Sequence, residues 1–176
     1  CMERSATLIV SILAVLKRGA AYVPIDRDAP AAHRARVLAD CGSAWLLSAG
    51  DSIAPQDGVL VIDVESLAEE PGIHPSPSLN GGGDVAYIMY TSGTTGTPKG
   101  IMHSHRSGLA YAKLSMDLYD VRPTDILGNH SPLHSDISTL GYFTMPLAGG
   151  TSVLFPVSHK LIPARLSLLM DKVRIT

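Results

Sequence analysis

The stretch Tyr90-Thr91-Ser92-Gly93-Thr94-Thr95-Gly96-Thr97-Pro98-Lys99-Gly100 gathers three glycines, five aliphatic hydroxyls and one lysine directly behind an apolar run. These residue types suit the holding of phosphate. Gly93, Gly96 and Gly100 allow backbone turns closed to other residues and bring N–H groups close to an anion with no Cβ in the way. Thr91, Ser92, Thr94, Thr95 and Thr97 add hydroxyl donors, and Lys99 adds a mobile point charge matched to a polyphosphate. Pro98 stiffens the approach to the lysine. An ordinary Gly/Ser/Thr linker would not abut an apolar strand and close on Pro-Lys-Gly. A Walker A loop, Gly-x-x-x-x-Gly-Lys followed by Ser or Thr, does not fit: Gly93 and Gly96 stand too close together, Pro98 precedes the lysine and Gly100 follows it.

Such a loop needs rigid flanks. Val85-Ala86-Tyr87-Ile88-Met89-Tyr90 reads as a short buried strand and residues 104–116 as a helix. The loop is therefore expected between a strand end and a helix start, where phosphate sites recur in α/β proteins. Upstream, Leu8, Ile9, Ile12, Leu13 and Leu16 recur at helical spacing within residues 5–17, and Gly19 is placed to stop that helix. A strand over 21–25 follows, then a helix from Asp28-Ala29-Pro30 to Gly42 with Val37 and Leu38 facing inward, then strands at 45–48 and 59–62. Residues 69–83, with Pro71, Pro75, Pro77 and Gly81-Gly82-Gly83, read as a surface connector. Downstream, the pattern predicts a strand over 125–128, a helix over 137–147 ending at Gly149-Gly150, a strand over 151–155, a helix over 163–171 and the beginning of another strand over 172–176. The alternation predicts an α/β fold with a parallel-rich, doubly wound sheet flanked by helices.

Composition narrows the function. The 176 residues, 45% hydrophobic with a mean hydropathy of +0.19, suffice for one domain with a real core. A formal charge of −2 and a pI of 6.4 provide no basic field, so nucleic acid is not an expected partner. Neither a secretory leader pattern nor a run of membrane-spanning length is present, and Cys1 and Cys41 have neither metal nor redox spacing. A reduced, cytoplasmic setting without a membrane partner is expected. His103-x-His105 and His130-x-x-x-His134 have ligand-like spacing, but no Cys or Glu completes either pair, and no protein-held transition metal is expected. Both ends read as cuts, which makes residues 1–176 an expected piece of a larger domain.

The phosphate loop resembles the signature of the adenylate-forming (AMP-binding) superfamily, which includes the adenylation domains of nonribosomal peptide synthetases, acyl-CoA synthetases and luciferases. Leu16-Lys17-Arg18-Gly19-Ala20-Ala21-Tyr22-Val23-Pro24-Ile25-Asp26, followed by Pro30, is similar to the motif that precedes the loop in amino-acid-adenylating members. The resemblance covers nearly the whole chain. It implies ATP and Mg2+, with Thr91, Ser92, Gly93, Thr94, Thr95, Gly96, Thr97, Lys99 and Gly100 on the nucleotide and with Lys99 and Thr91 serving the chemistry. His105, opening the next helix, would sit near that nucleotide. The resemblance further implies an amino acid substrate, an acyl or peptidyl carrier protein as partner, and a partial large N-terminal domain whose adenine-contacting and lid residues lie beyond this sequence.

A second stretch belongs to the same reading. Asn129-His130-Ser131-Pro132-Leu133-His134-Ser135-Asp136-Ile137-Ser138 follows a strand and precedes a helix, so it can lie at the carboxyl edge of the sheet. In amino-acid-adenylating relatives a Phe-Asp-x-Ser motif stands here, and its aspartate pairs with the substrate's α-ammonium group. Asp136 and Ser138 match that motif, while Ser135 replaces the aromatic. The plainer alternative is that Asp136 caps the following helix, as Asp often does. The run 130–134, with Ser138-Thr139-Leu140 and Lys160-Leu161-Ile162-Pro163-Ala164, is similar to stand-alone ligases that load proline onto a carrier protein. The implied reaction is attack of a carboxylate on the α-phosphorus of ATP, loss of pyrophosphate, and transfer of the acyl group to a phosphopantetheine thiol. The alternatives are a fatty or aryl acid–CoA ligase, whose substrate offers Asp136 no ammonium, and a non-catalytic nucleotide-binding remnant. The 176 residues alone are expected to be inactive.

Overall fold

Ser5 opens the first helix by accepting the Leu8 N–H at 3.2 Å, satisfying one of the donors a helix start leaves unpaired. The computed structural model describes residues 1–50, 53, 58–67, 80–91, 98–156 and 162–176, and it divides into two units, Cys1–Ser104 and His105–Thr176. In the first unit, α1 (Ala6–Lys17) closes at Arg18, and Gly19 takes a φ of +74°. Helix α2 (Ala31–Cys41) starts after Pro30, where the missing N–H costs no bond, and ends at Gly42 in the left-handed region. Its inward residues Val37 and Leu38 join Ile25 and Leu46 in a buried cluster. Strands β1 (Trp45–Ser48) and β2 (Leu60–Asp63) pair in parallel, with Trp45 opposite Leu60.

Strand β3 (Val85–Thr91) pairs antiparallel with β4 (Lys99–Ser104). This corrects the expected strand–loop–helix order, because a second strand stands between the loop and the next helix. Along the other edge of β3, Tyr22 donates its N–H to the Ala86 carbonyl at 3.1 Å and accepts the Ile88 N–H at 3.0 Å. The strand expected over 21–25 shrinks to that one parallel bridge. The next donor in such a ladder would be residue 24, and Pro24 has no N–H to give. Of the expected connector, residues 69–79 lie outside the described residues. Where the chain returns, the Asp84 carboxylate accepts the Gly81 N–H at 2.7 Å.

In the second unit, α3 (His105–Leu118) leads to β5 (Ile126–Asn129), which pairs in parallel with β6 (Thr151–Leu154). The helix expected over 137–147 is broken into a 3-10 turn (Asp136–Ser138), a π-helical segment (Leu140–Thr144) and a short α4 (Met145–Ala148) that ends at Gly149. Pro146 is the reason. It offers no N–H to a continuous α-helical ladder, and the chain widens by a residue per turn ahead of it. Helix α5 (Pro163–Val173) runs past the point where a strand was expected, and Arg174 leaves it with a φ of +55°. Thr176 then reaches β5, donating its N–H to the Ile126 carbonyl at 3.2 Å.

The α/β class is as expected. Among the described residues its strands form three two-stranded ladders, two parallel and one antiparallel. No helix among them is long and apolar enough to cross a membrane.

Candidate functional site

Strand β3 carries the upstream flank of the phosphate motif because Val85, Tyr87, Ile88 and Tyr90 favour an extended, half-buried backbone. Ala86, Tyr87 and Met89 are buried, and the chain emerges at the exposed Thr91. Across the ladder Thr91 pairs with Lys99 and Tyr90 with Gly100. Paired residues of an antiparallel ladder share a face, so the hydroxyl and the ammonium of the last rung project to the same side. Ser92, Gly93, Thr94, Thr95, Gly96 and Thr97 lie outside the described residues. Of the expected phosphate set the structure therefore brings together Thr91 and Lys99, with Gly100 one rung behind.

Gly100 has a different role from the one its sequence context suggested. It is an extended strand residue rather than a turn, and its value lies in the space it leaves. A Cβ there would stand 2.9 Å from Ile88 Cγ2 and 3.0 Å from Tyr90 Cζ. The Tyr90 ring fills that space and packs against the cluster of Ile25, Val37, Leu38 and Leu46. Its hydroxyl donates to Asp40 Oδ2 on α2 at 2.6 Å, the short length of a bond to a charged acceptor. Burial, reinforced by that bond and by the Asp40 charge, pushes the phenol well above the ordinary tyrosine range, so Tyr90 remains a donor. Sequence reasoning missed Asp40. It lies fifty residues from Tyr90 in a helix whose polar face carries no motif, and only the fold joins them.

The base of the hairpin is fixed by rings. Tyr22 stacks on Tyr87 with centroids 5.4 Å apart, and Tyr87 stacks on His103 at 4.5 Å. His103 is thus a packing residue of β4. His105 begins α3, and its Nε2 is buried without a hydrogen-bond partner among the described residues.

The second predicted group lies in the other unit. Asp136 is exposed at the start of the 3-10 turn, where its Oδ1 accepts the Ile137 N–H at 2.9 Å. Ser138 is only 1% exposed; its hydroxyl donates to the Ser135 carbonyl at 2.6 Å, and its own carbonyl accepts from the Asn129 amide at 3.3 Å. The Asn129 amide in turn occupies the place a side chain at residue 141 would need, which accounts for Gly141 there. Ser138 therefore braces the turn from inside while Asp136 faces outward.

Magnesium is the expected companion of a triphosphate. Among the described residues no three His, Cys, Asp or Glu side chains converge on one point. The Thr91–Lys99 rung offers a hydroxyl and an ammonium, and the ammonium repels a cation. These residues do not fit a magnesium ligand set, and none is assigned to the ion.

The β3–β4 hairpin in an α/β chain leaves the class of domain open, and comparison with known proteins identifies it. Residues 1–176 match the AMP-binding enzyme family, and the chain belongs to that family. It is 37% identical over 180 residues to gramicidin S synthase 2 of Brevibacillus brevis, covering 99% of this chain and 4% of that protein. It is 35% identical over 183 residues to tyrocidine synthase 3 of Brevibacillus parabrevis, covering 99% of this chain and 3% of that protein. Among solved structures, the nonribosomal peptide synthetase FmoA3 in its alpha-methyl-L-serine-AMP bound form aligns with a TM-score of 0.89 at 28% identity, over 99% of this chain and 20% of that one. The N-terminal subdomain of Klebsiella oxytoca NpsA, in complex with 3-hydroxybenzoyl-AMSN, aligns with a TM-score of 0.82 at 25% identity, over 99% of this chain and 44% of that one. The fold is that of the N-terminal region of nonribosomal peptide synthetase adenylation domains. The chain spans a small part of these synthases, 4% of the first and 3% of the second.

Proposed function

We propose that the protein containing this chain activates an amino acid by adenylation. The amino acid's carboxylate attacks the α-phosphorus of ATP, pyrophosphate departs, and the aminoacyl-AMP is passed to the thiol of a carrier protein. The Thr91–Lys99 rung carries this reading. Negative charge builds on the leaving pyrophosphate oxygens, and a hydroxyl donor with an ammonium beside it stabilises that charge. Ser92, Gly93, Thr94, Thr95, Gly96 and Thr97 complete the proposed phosphate grip by sequence. Asp136 is the proposed partner of the substrate's ammonium group, since a carboxylate that keeps one oxygen open can exchange water for a charged donor. Ser138 supports it by holding the turn. Support comes also from FmoA3, solved in AMPPNP-bound and alpha-methyl-L-serine-AMP bound forms.

Amino-acid-dependent exchange of labelled pyrophosphate into ATP by the intact protein tests the reaction. Exchange stimulated by one or a few amino acids is expected, with proline among those screened. Absence of exchange with every amino acid would refute the proposal. An aryl acid as substrate is the second reading, favoured by the NpsA subdomain's complex with 3-hydroxybenzoyl-AMSN. Exchange driven by benzoates and indifferent to Asp136→Ala would establish that reading instead.

A further inference from the structure

We propose that Tyr90, through its hydroxyl bond to Asp40, is a positioning residue for the nucleotide's phosphates: it ties the Tyr90–Gly100 rung to α2 and thereby holds the adjoining Thr91–Lys99 rung in place. The proposal rests on the reading of Thr91 and Lys99 as phosphate ligands given above. Four observations converge on it. Thr91 and Lys99 form the last rung of the β3–β4 ladder and are both exposed, and the last rung is where a ladder frays. One rung behind, Tyr90 reaches across to a different element, α2, whose Val37 and Leu38 are anchored in the core. The 2.6 Å bond has a charged acceptor, and Tyr90 stays a donor because its phenol is held neutral. Gly100 leaves room for the ring to lie over β4, where any Cβ would push against it.

The effect of the bond falls first on the neighbouring rung, since Tyr90 and Gly100 adjoin Thr91 and Lys99 in the ladder. An ordered pair of phosphate ligands binds without first losing conformational freedom; a frayed pair must lose it on binding.

The test uses the intact protein with Tyr90→Phe, Asp40→Ala, Asp40→Asn and Lys99→Ala. Tyr90→Phe keeps the ring and removes only the bond. The expected result is faster amide hydrogen exchange at Lys99 and Gly100 with β1–β2 unchanged, and a KM for ATP raised about fivefold while the KM for the amino acid stays at the wild-type value. Asp40→Ala should match Tyr90→Phe, the double variant should add little to either, and Asp40→Asn, which keeps an acceptor oxygen, should restore most of the ATP affinity. Unchanged hydrogen exchange at the hairpin in Tyr90→Phe would overturn the proposal. So would faster exchange with an unaltered KM for ATP in a protein where Lys99→Ala does raise it. If Lys99→Ala itself leaves ATP use intact, the phosphate reading has failed, and the positioning role falls with it while the Tyr90–Asp40 tie remains as measured by exchange.

Discussion

Lys99 and Asp136 divide the proposed chemistry between two charges, and each makes a separate prediction. Asp136→Asn keeps the shape and the acceptor toward Ile137 but removes the charge. It should raise the amino acid KM about tenfold or more and leave the KM for ATP near wild type, as steady-state kinetics would show. An equal rise in both constants would remove Asp136 from the substrate's ammonium. Ser138→Ala deletes the 2.6 Å bond to the Ser135 carbonyl inside the turn and should cost about 1 kcal/mol of stability by thermal denaturation. Lys99 and Thr91 stood out in the sequence as candidates because of their hydroxyl, glycine and lysine neighbours, and the ladder sets the two side by side. Gly100 was legible as a necessary glycine for the wrong reason, since the atoms it must avoid belong to Ile88 and Tyr90 across the ladder. Asp40 had no local signal.

At the scale of elements, the helix ends were written in single residues. Gly42 at a φ of +63° meets no atom within 4 Å of an added Cβ, so Gly42→Ala should cost only backbone strain, about 1 kcal/mol in a denaturation experiment. Strand β4 was hidden because Lys99 and Gly100 read as the close of a loop and His103 and Ser104 as the lead into a helix; its pairing depends on β3, a non-local fact. The π-helical segment was hidden for a similar reason, since Pro146 marks a break but does not say how the chain reroutes around it. The Tyr90–Asp40 tie has a pH signature whose sign is fixed. Its phenol is raised in the folded state, so the stability it contributes is complete below the unfolded tyrosine value of about 10 and is lost as pH rises toward the folded value. The difference in stability between wild type and Tyr90→Phe should be flat from neutral pH to that point and shrink above it. A difference that grew with alkalinity would contradict the assignment.

At the scale of the whole molecule, the class of fold followed from the alternation of strand and helix, and membership of the AMP-binding enzyme family from residues 1–176. Residues 1–176 cover 44% of the NpsA subdomain solved in complex with 3-hydroxybenzoyl-AMSN. Residues 1–176 expressed alone should therefore yield no hydroxamate-trapped product with ATP and any amino acid, and trapped product from them would mean that the catalytic set is smaller than proposed. The most direct test of the central claim is pyrophosphate exchange by the intact protein with and without Lys99→Ala, run beside amino acid binding. Exchange slowed about a hundredfold or more, with amino acid affinity retained, is the predicted result. Equal exchange in variant and wild type would contradict it.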